Sequence, residues 1–170
     1  MSVRPHFPGV DVPQQTPRGG APVGTLQELG PIELGAVVYL RAWCTGGADR
    51  GMIARDFALV MGDAAGPMVA DFDALMTAVL TNARRPIMRH GLGCSCFCGD
   101  ESAFANLVAA AAGRDHEEAL LFASTLIKGH AAWAAVELAL SLGQVFLRLA
   151  RMPNTAPVPT HSQHNLRYKN

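Results

Sequence analysis

Cys94, Cys96 and Cys98 lie in the run Gly91-Leu92-Gly93-Cys94-Ser95-Cys96-Phe97-Cys98-Gly99-Asp100, and they are three of the chain's four cysteines. Thiolates bind metals, exchange disulfides and attack electrophiles, so no other segment offers comparable chemistry. Alternate side chains of an extended backbone share a face, which lets the three sulfurs converge on one centre. Gly91, Gly93 and Gly99 allow the backbone to fold around an ion. Tetrahedral zinc takes four nitrogen or sulfur ligands. His90 supplies the fourth from just upstream, with Cys44 as the alternative. The run lacks the paired Cys-x-x-Cys knuckles that would make the zinc signal strong. An iron–sulfur cluster would need Cys44 as well as the triplet, and nothing in the spacing favours it.

Two other uses of the triplet compete with metal. Two thiols could close a strained disulfide of raised potential, with the third resolving it. A helix opening near Asp100 would lower the Cys98 pKa through its macrodipole, although Asp100 and Glu101 oppose that shift. The plainer alternative is packing, because free cysteine is among the most buried residue types.

Arg84, Arg85 and Arg89, with His90, form the basic cluster of the chain. They could contact an anion or a carboxylate-bearing partner, or simply face the C-terminal dipole of the helix before them. Glu137 stands alone in an apolar stretch, where an exposed edge or an arginine partner is the ordinary explanation. His116 and His130 are expected at caps or on the surface. The sequence contains no phosphate-binding Gly-x-x-x-x-Gly-Lys-Ser/Thr, no His-Glu-x-x-His, no Gly-x-Ser-x-Gly and no Glu-x-x-His, which leans against an enzyme.

Helices must position these residues. Pro31 suits a first helical position, and Ile32, Ala36, Tyr39, Leu40 and Trp43 follow the 3.6-residue period up to Gly46-Gly47. A second helix is expected after Asp49 with Ile53, Phe57, Val60 and Met61 on one face, ending at Gly62. A third runs from Gly66-Pro67 through Phe72, Met76 and Val79 until Arg84-Arg85-Pro86 interrupts it. Asp100 is the expected N-cap of a fourth, stopped at Gly113. Asp115 and Glu118 have capping-box spacing and open a fifth, through Leu120, Leu121, Ser124 and Ile127. The sixth, from about His130 to Arg151, is apolar nearly all round and is expected in the middle of a bundle, its alanines and Gly143 admitting close neighbours. No stretch alternates with period two for long enough to build a sheet. The expected class is all-α: a single-domain bundle of about six helices with a Gly/Cys-rich inter-helix loop.

The chain has 170 residues, 14 basic against 14 acidic, with 16% charged and 49% apolar. Zero net charge argues against nucleic acid and anionic membrane surfaces as partners. A lightly charged surface suggests cover by a protein partner or by a second copy as a homo-oligomer. Residues 1–29 and 153–170, rich in Pro and polar residues, read as arms flanking a helical domain at 30–152. With five prolines before Gly24 and no apolar core of the needed length, no signal peptide is expected. A membrane span is not expected either, and the default location is the cytoplasm, where clustered cysteines bind metal or stay reduced. The functional expectation is a non-enzymatic interaction, regulatory or assembly protein with a zinc-pinned loop. The alternatives are a thiol-redox protein using Cys94, Cys96 and Cys98, and a structural accessory subunit that binds through its tails.

Overall fold

The computed structural model describes residues 19–152; residues 1–18 of the expected N-terminal arm at 1–29, and the whole expected tail at 153–170, lie outside them. Helices α1 (Pro31–Thr45), α2 (Gly47–Met61), α3 (Ala65–Thr81), α4 (Gly99–Ala112), α5 (His116–Leu126) and α6 (Gly129–Ala150) build the all-α domain. The breakers act where sequence placed them. Pro31 sits in the first turn of α1, and Gly46 and Gly62 cap α1 and α2 with positive φ of 78° and 55°, a region that glycine enters without a Cβ penalty.

Tyr39 of α1, Phe57 of α2, Phe72 of α3 and Phe146 of α6 pack as a four-ring cluster, with centroids 5.8–6.4 Å apart in every pair. Most of these pairs are edge-on, the arrangement favoured by the ring quadrupoles. Leu40, Leu75, Met76, Leu107, Val136 and Leu142 extend the buried core around the rings.

α6 packs against every other helix, as expected of a central element, but it is not buried all round. Ala132, Ala135, Val136, Ala139, Leu142 and Phe146 are buried on one face, whereas Trp133 is 58% exposed and Glu137 is exposed. α6 is also the one described helix long and apolar enough to cross a membrane. Where α6 crosses α4, a Cβ on Gly143 would lie 3.1 Å from the Ala112 Cα; the glycine is what lets the two backbones approach. α5 buries Ala119, Ala123 and Leu126. Leu121, named among the apolar residues of the expected fifth helix, is 64% exposed.

A small sheet corrects the expectation of no strands. Strand β1 (Pro22–Thr25) pairs antiparallel with β2 (Cys96–Cys98), Thr25 opposite Cys96 and Gly24 opposite Phe97, with a bulge between Pro22 and Gly24. Strands of four and three residues are too short to show alternation, and the pairing comes from tertiary approach. A 3₁₀ turn at Leu26–Glu28 follows β1. Part of the segment expected to be an arm therefore closes over the cysteine run.

Two glycine substitutions separate crowding from helix propensity. Gly143→Leu is expected to destabilise the fold by about 1–3 kcal/mol through overpacking. Gly51→Ala, where nothing lies within 4 Å of the added carbon, is expected to stabilise it by about 0.5–1 kcal/mol. Urea unfolding of both variants measures this; equal shifts of the same sign would contradict the crossing geometry.

Candidate metal centre

Arg41, which the sequence did not single out, and Glu101, expected only to oppose a lowered Cys98 pKa, hold the cysteine loop. Arg41 lies on α1 two residues past Tyr39, about 200° round the helix at 100° per residue, so it faces away from the aromatic cluster. It is 1% exposed, and its partner Glu101, in the first turn of α4, is fully buried. Arg41 Nε donates to Glu101 Oε1 at 2.7 Å and Nη2 donates to Oε2 at 3.1 Å. The remaining guanidinium protons reach the loop backbone: Nη1 donates to the carbonyls of Gly91 (3.2 Å) and Cys94 (2.7 Å), and Nη2 to that of Cys96 (2.6 Å). An arginine has five N–H donors, and each has an acceptor.

Glu101 is equally engaged. Besides Arg41, its Oε1 accepts from the His90 backbone N–H at 3.0 Å and its Oε2 from the Cys98 N–H at 2.9 Å. Burial pushes its pKa up, but the hydrogen bonds from Arg41, Cys98 and His90 outweigh that and hold the carboxyl below its ordinary range.

The bond to Cys98 N–H is half of a capping box. The Cys98 side chain accepts from the Glu101 backbone and caps α4. Cys98, not Asp100, is therefore the N-cap, a correction to the expected start of α4. Asp100 is buried instead, accepting from Arg85 Nη1 and Nη2 at 2.7 and 2.6 Å and from the Met88 N–H at 2.8 Å. The two acids at the start of α4 thus fix the loop at Arg85, Met88 and His90.

The ring and sulfur atoms of His90, Cys94 and Cys96 lie within 4.8 Å of one another. The Cys94 and Cys96 sulfurs are 2.8 Å apart, and His90 Nδ1 is 3.8 Å from the Cys96 sulfur. All three residues are partly exposed. Cys98 falls in a second group with His90 and Glu101. Its sulfur is fully buried and donates to the Met88 carbonyl at 3.3 Å. Cys44 is in neither group among the described residues; its carbonyl accepts from Arg89 at 3.5 Å, and burial raises its thiol pKa.

The thiols differ in acidity. The hydrogen bond between the two sulfurs lowers the Cys94 pKa and raises that of Cys96. Burial pushes Cys98 up to about 11. The macrodipole argument for Cys98 is overtaken here by desolvation.

His90 carries the strongest sign of a missing partner. Its Nε2 is the one buried side-chain nitrogen or oxygen without a hydrogen-bond partner among the described residues. A neutral imidazole brings one N–H and one lone pair, and the protein offers the ring little beyond a distant sulfur. Two thiols and an imidazole are a donor set that suits zinc and other soft or borderline metals. The residues therefore fit a metal, and the cluster could hold one.

The basic cluster is dispersed. Arg84 donates through Nε to the Ile127 carbonyl at 3.0 Å, beside the bridge between Ala83 and Ile127, and so ties the loop to the α5–α6 junction. Arg85 is engaged by Asp100, while Arg89 is exposed. His116 and His130 lie on the surface, as expected. The chain matches no protein-family model, no curated protein and no solved structure.

Signals for the missed pair were present. Arg41 is the single charge between Glu33 and Asp49, inside an apolar helix, and Glu101 stands three residues after Cys98. Removing one partner strands a buried charge, so Arg41→Ala or Glu101→Ala is expected to cost about 3–5 kcal/mol. The double variant Arg41→Met/Glu101→Leu should lose markedly less. Single variants no worse than surface substitutions in urea unfolding would contradict the pair's role.

The Glu101 carboxylate adds a pH signature. Its pKa is lowered from 4.5 on folding, so its contribution is complete above 4.5 and is lost as pH falls through the lower folded value. Glu101→Gln should flatten the acid side of the stability profile; an unchanged slope would count against the assignment.

Proposed function

We propose that this chain is a non-enzymatic interaction, regulatory or assembly protein whose loop between α3 and α4, already held by Arg41 and Glu101, carries a bound zinc. The observation that carries the metal reading is the His90 ring, with a buried Nε2 lacking a partner, beside the clustered sulfurs of Cys94 and Cys96. Zinc suits this donor set better than an iron–sulfur cluster, because Cys98 is committed to capping and Cys44 lies in neither donor group. The absence of catalytic motifs and the exposed Trp133 and Leu121 support a protein partner or a second copy as the functional counterpart. All four cysteines are free, which fits a reducing compartment such as the cytoplasm.

Elemental analysis of the full chain, purified without chelator, is expected to find one zinc per chain. Cys94→Ser and Cys96→Ser should each lose it. Metal-free wild-type protein that takes up no zinc on titration would end the reading.

One observation favours a second reading. The 2.8 Å separation of the Cys94 and Cys96 sulfurs and the lowered Cys94 pKa also suit a redox pair, in which oxidised glutathione would take two electrons and two protons from the thiols to leave a disulfide and two glutathiones. Alkylation after equilibration of metal-free protein with a glutathione buffer separates the two. Cys94 and Cys96 that remain alkylatable under oxidising ratios support metal over redox.

A further inference from the structure

We infer that the centre made by His90, Cys94 and Cys96 has three protein ligands and an open fourth position that takes the thiolate of a small-molecule thiol. The inference rests on the metal reading above and adds what the site binds.

Among the described residues, the nearby donors that could close the site are engaged elsewhere or lie outside the group. Cys98 is fully buried, donates to the Met88 carbonyl and caps α4, and it falls in a different donor group from Cys94 and Cys96. Both oxygens of Glu101 are taken by Arg41 and by the N–H groups of His90 and Cys98. Asp100 is held by Arg85 and by Met88 N–H. Cys44 belongs to neither group. A zinc with three protein ligands holds water or a substrate in its fourth position.

Access and chemistry both favour a small sulfur ligand. The three ligating residues are partly exposed, and the space beside Gly91 and Gly93 is open, with nothing within 4 Å of a carbon added to either. Two thiolates balance the two charges of the ion, so the centre does not repel one further anion. A metal held by two thiolates favours another soft donor. A thiol bound there would release its proton to solvent, and its sulfur would join those of Cys94 and Cys96 and the His90 ring as the fourth donor.

Cobalt(II) in place of zinc gives the readout, because its sulfur charge-transfer absorption grows with the number of bound thiolates. The full-length wild type should show the intensity of two thiolates, unchanged in Cys98→Ser and Cys44→Ser and reduced in Cys94→Ser or Cys96→Ser. Titration with 2-mercaptoethanol should raise that intensity saturably by half. A three-thiolate spectrum that drops in Cys98→Ser or Cys44→Ser would overturn the inference by showing a site closed by protein. So would a two-thiolate spectrum that does not respond to 2-mercaptoethanol; in both cases the metal reading survives. If no cobalt or zinc binds the wild type, both readings fall together.

Discussion

The buried ion pair of Arg41 and Glu101 is the constraint on which the site depends. Burying two charges is expensive, and their attraction repays the cost only when the geometry is good and the remaining donors and acceptors are satisfied. Here the remainder is satisfied by the loop itself. The carbonyls of Gly91, Cys94 and Cys96 accept from the guanidinium, and the N–H groups of His90 and Cys98 donate to the carboxylate. The pair therefore links α1 to α4 across 60 residues of sequence and also shapes the irregular segment between α3 and β2. That segment has few backbone partners of its own, and its polar groups would be costly to bury without such a receiver.

This arrangement divides labour among chemically similar residues. Cys94 and Cys96 keep their sulfurs at the surface, close together and beside an imidazole, whereas Cys98 is buried as an N-cap. Asp100 and Glu101 are consecutive acids with different partners: one holds Arg85 and Met88 at the beginning of the loop, the other holds Arg41 and His90 further on. Type alone assigns neither set. Burial decides, because a thiol that has lost its water serves as a neutral donor, while one at the surface can become a thiolate and a ligand.

The helices were legible because their signals are local. Pro31, Gly46, Gly62 and Asp115 act within one turn of where they stand, and apolar periodicity needs no partner to be read. The grouping of His90 with Cys94 and Cys96 was legible from proximity in sequence. The capping role of Cys98 was obscured because cysteine is not among the preferred caps, although the spacing to Glu101 pointed there. Pairing of β1 with β2, the partner of Arg41 and the dispersal of Arg84 and Arg85 are all set by contacts between distant segments. The exposure of Leu121 and Trp133 shows the same limit from the other side. α5 and α6 are apolar on more than one face, and only packing reveals which face the core takes.

The position of the pair also determines how metal and folding are related. In small zinc domains the ion supplies the folding energy, because the chain cannot bury enough apolar surface without it. This domain has an independent core: the rings of Tyr39, Phe57, Phe72 and Phe146 join α1, α2, α3 and α6, and Arg41 leaves α1 on the opposite side. The loop rests on α1 and α4 through hydrogen bonds made by protein atoms alone. A metal binding there meets ligands already grouped, so little of its binding free energy goes to ordering the chain. On the proposed reading, metal occupancy would change the chemistry of the surface rather than the existence of the fold.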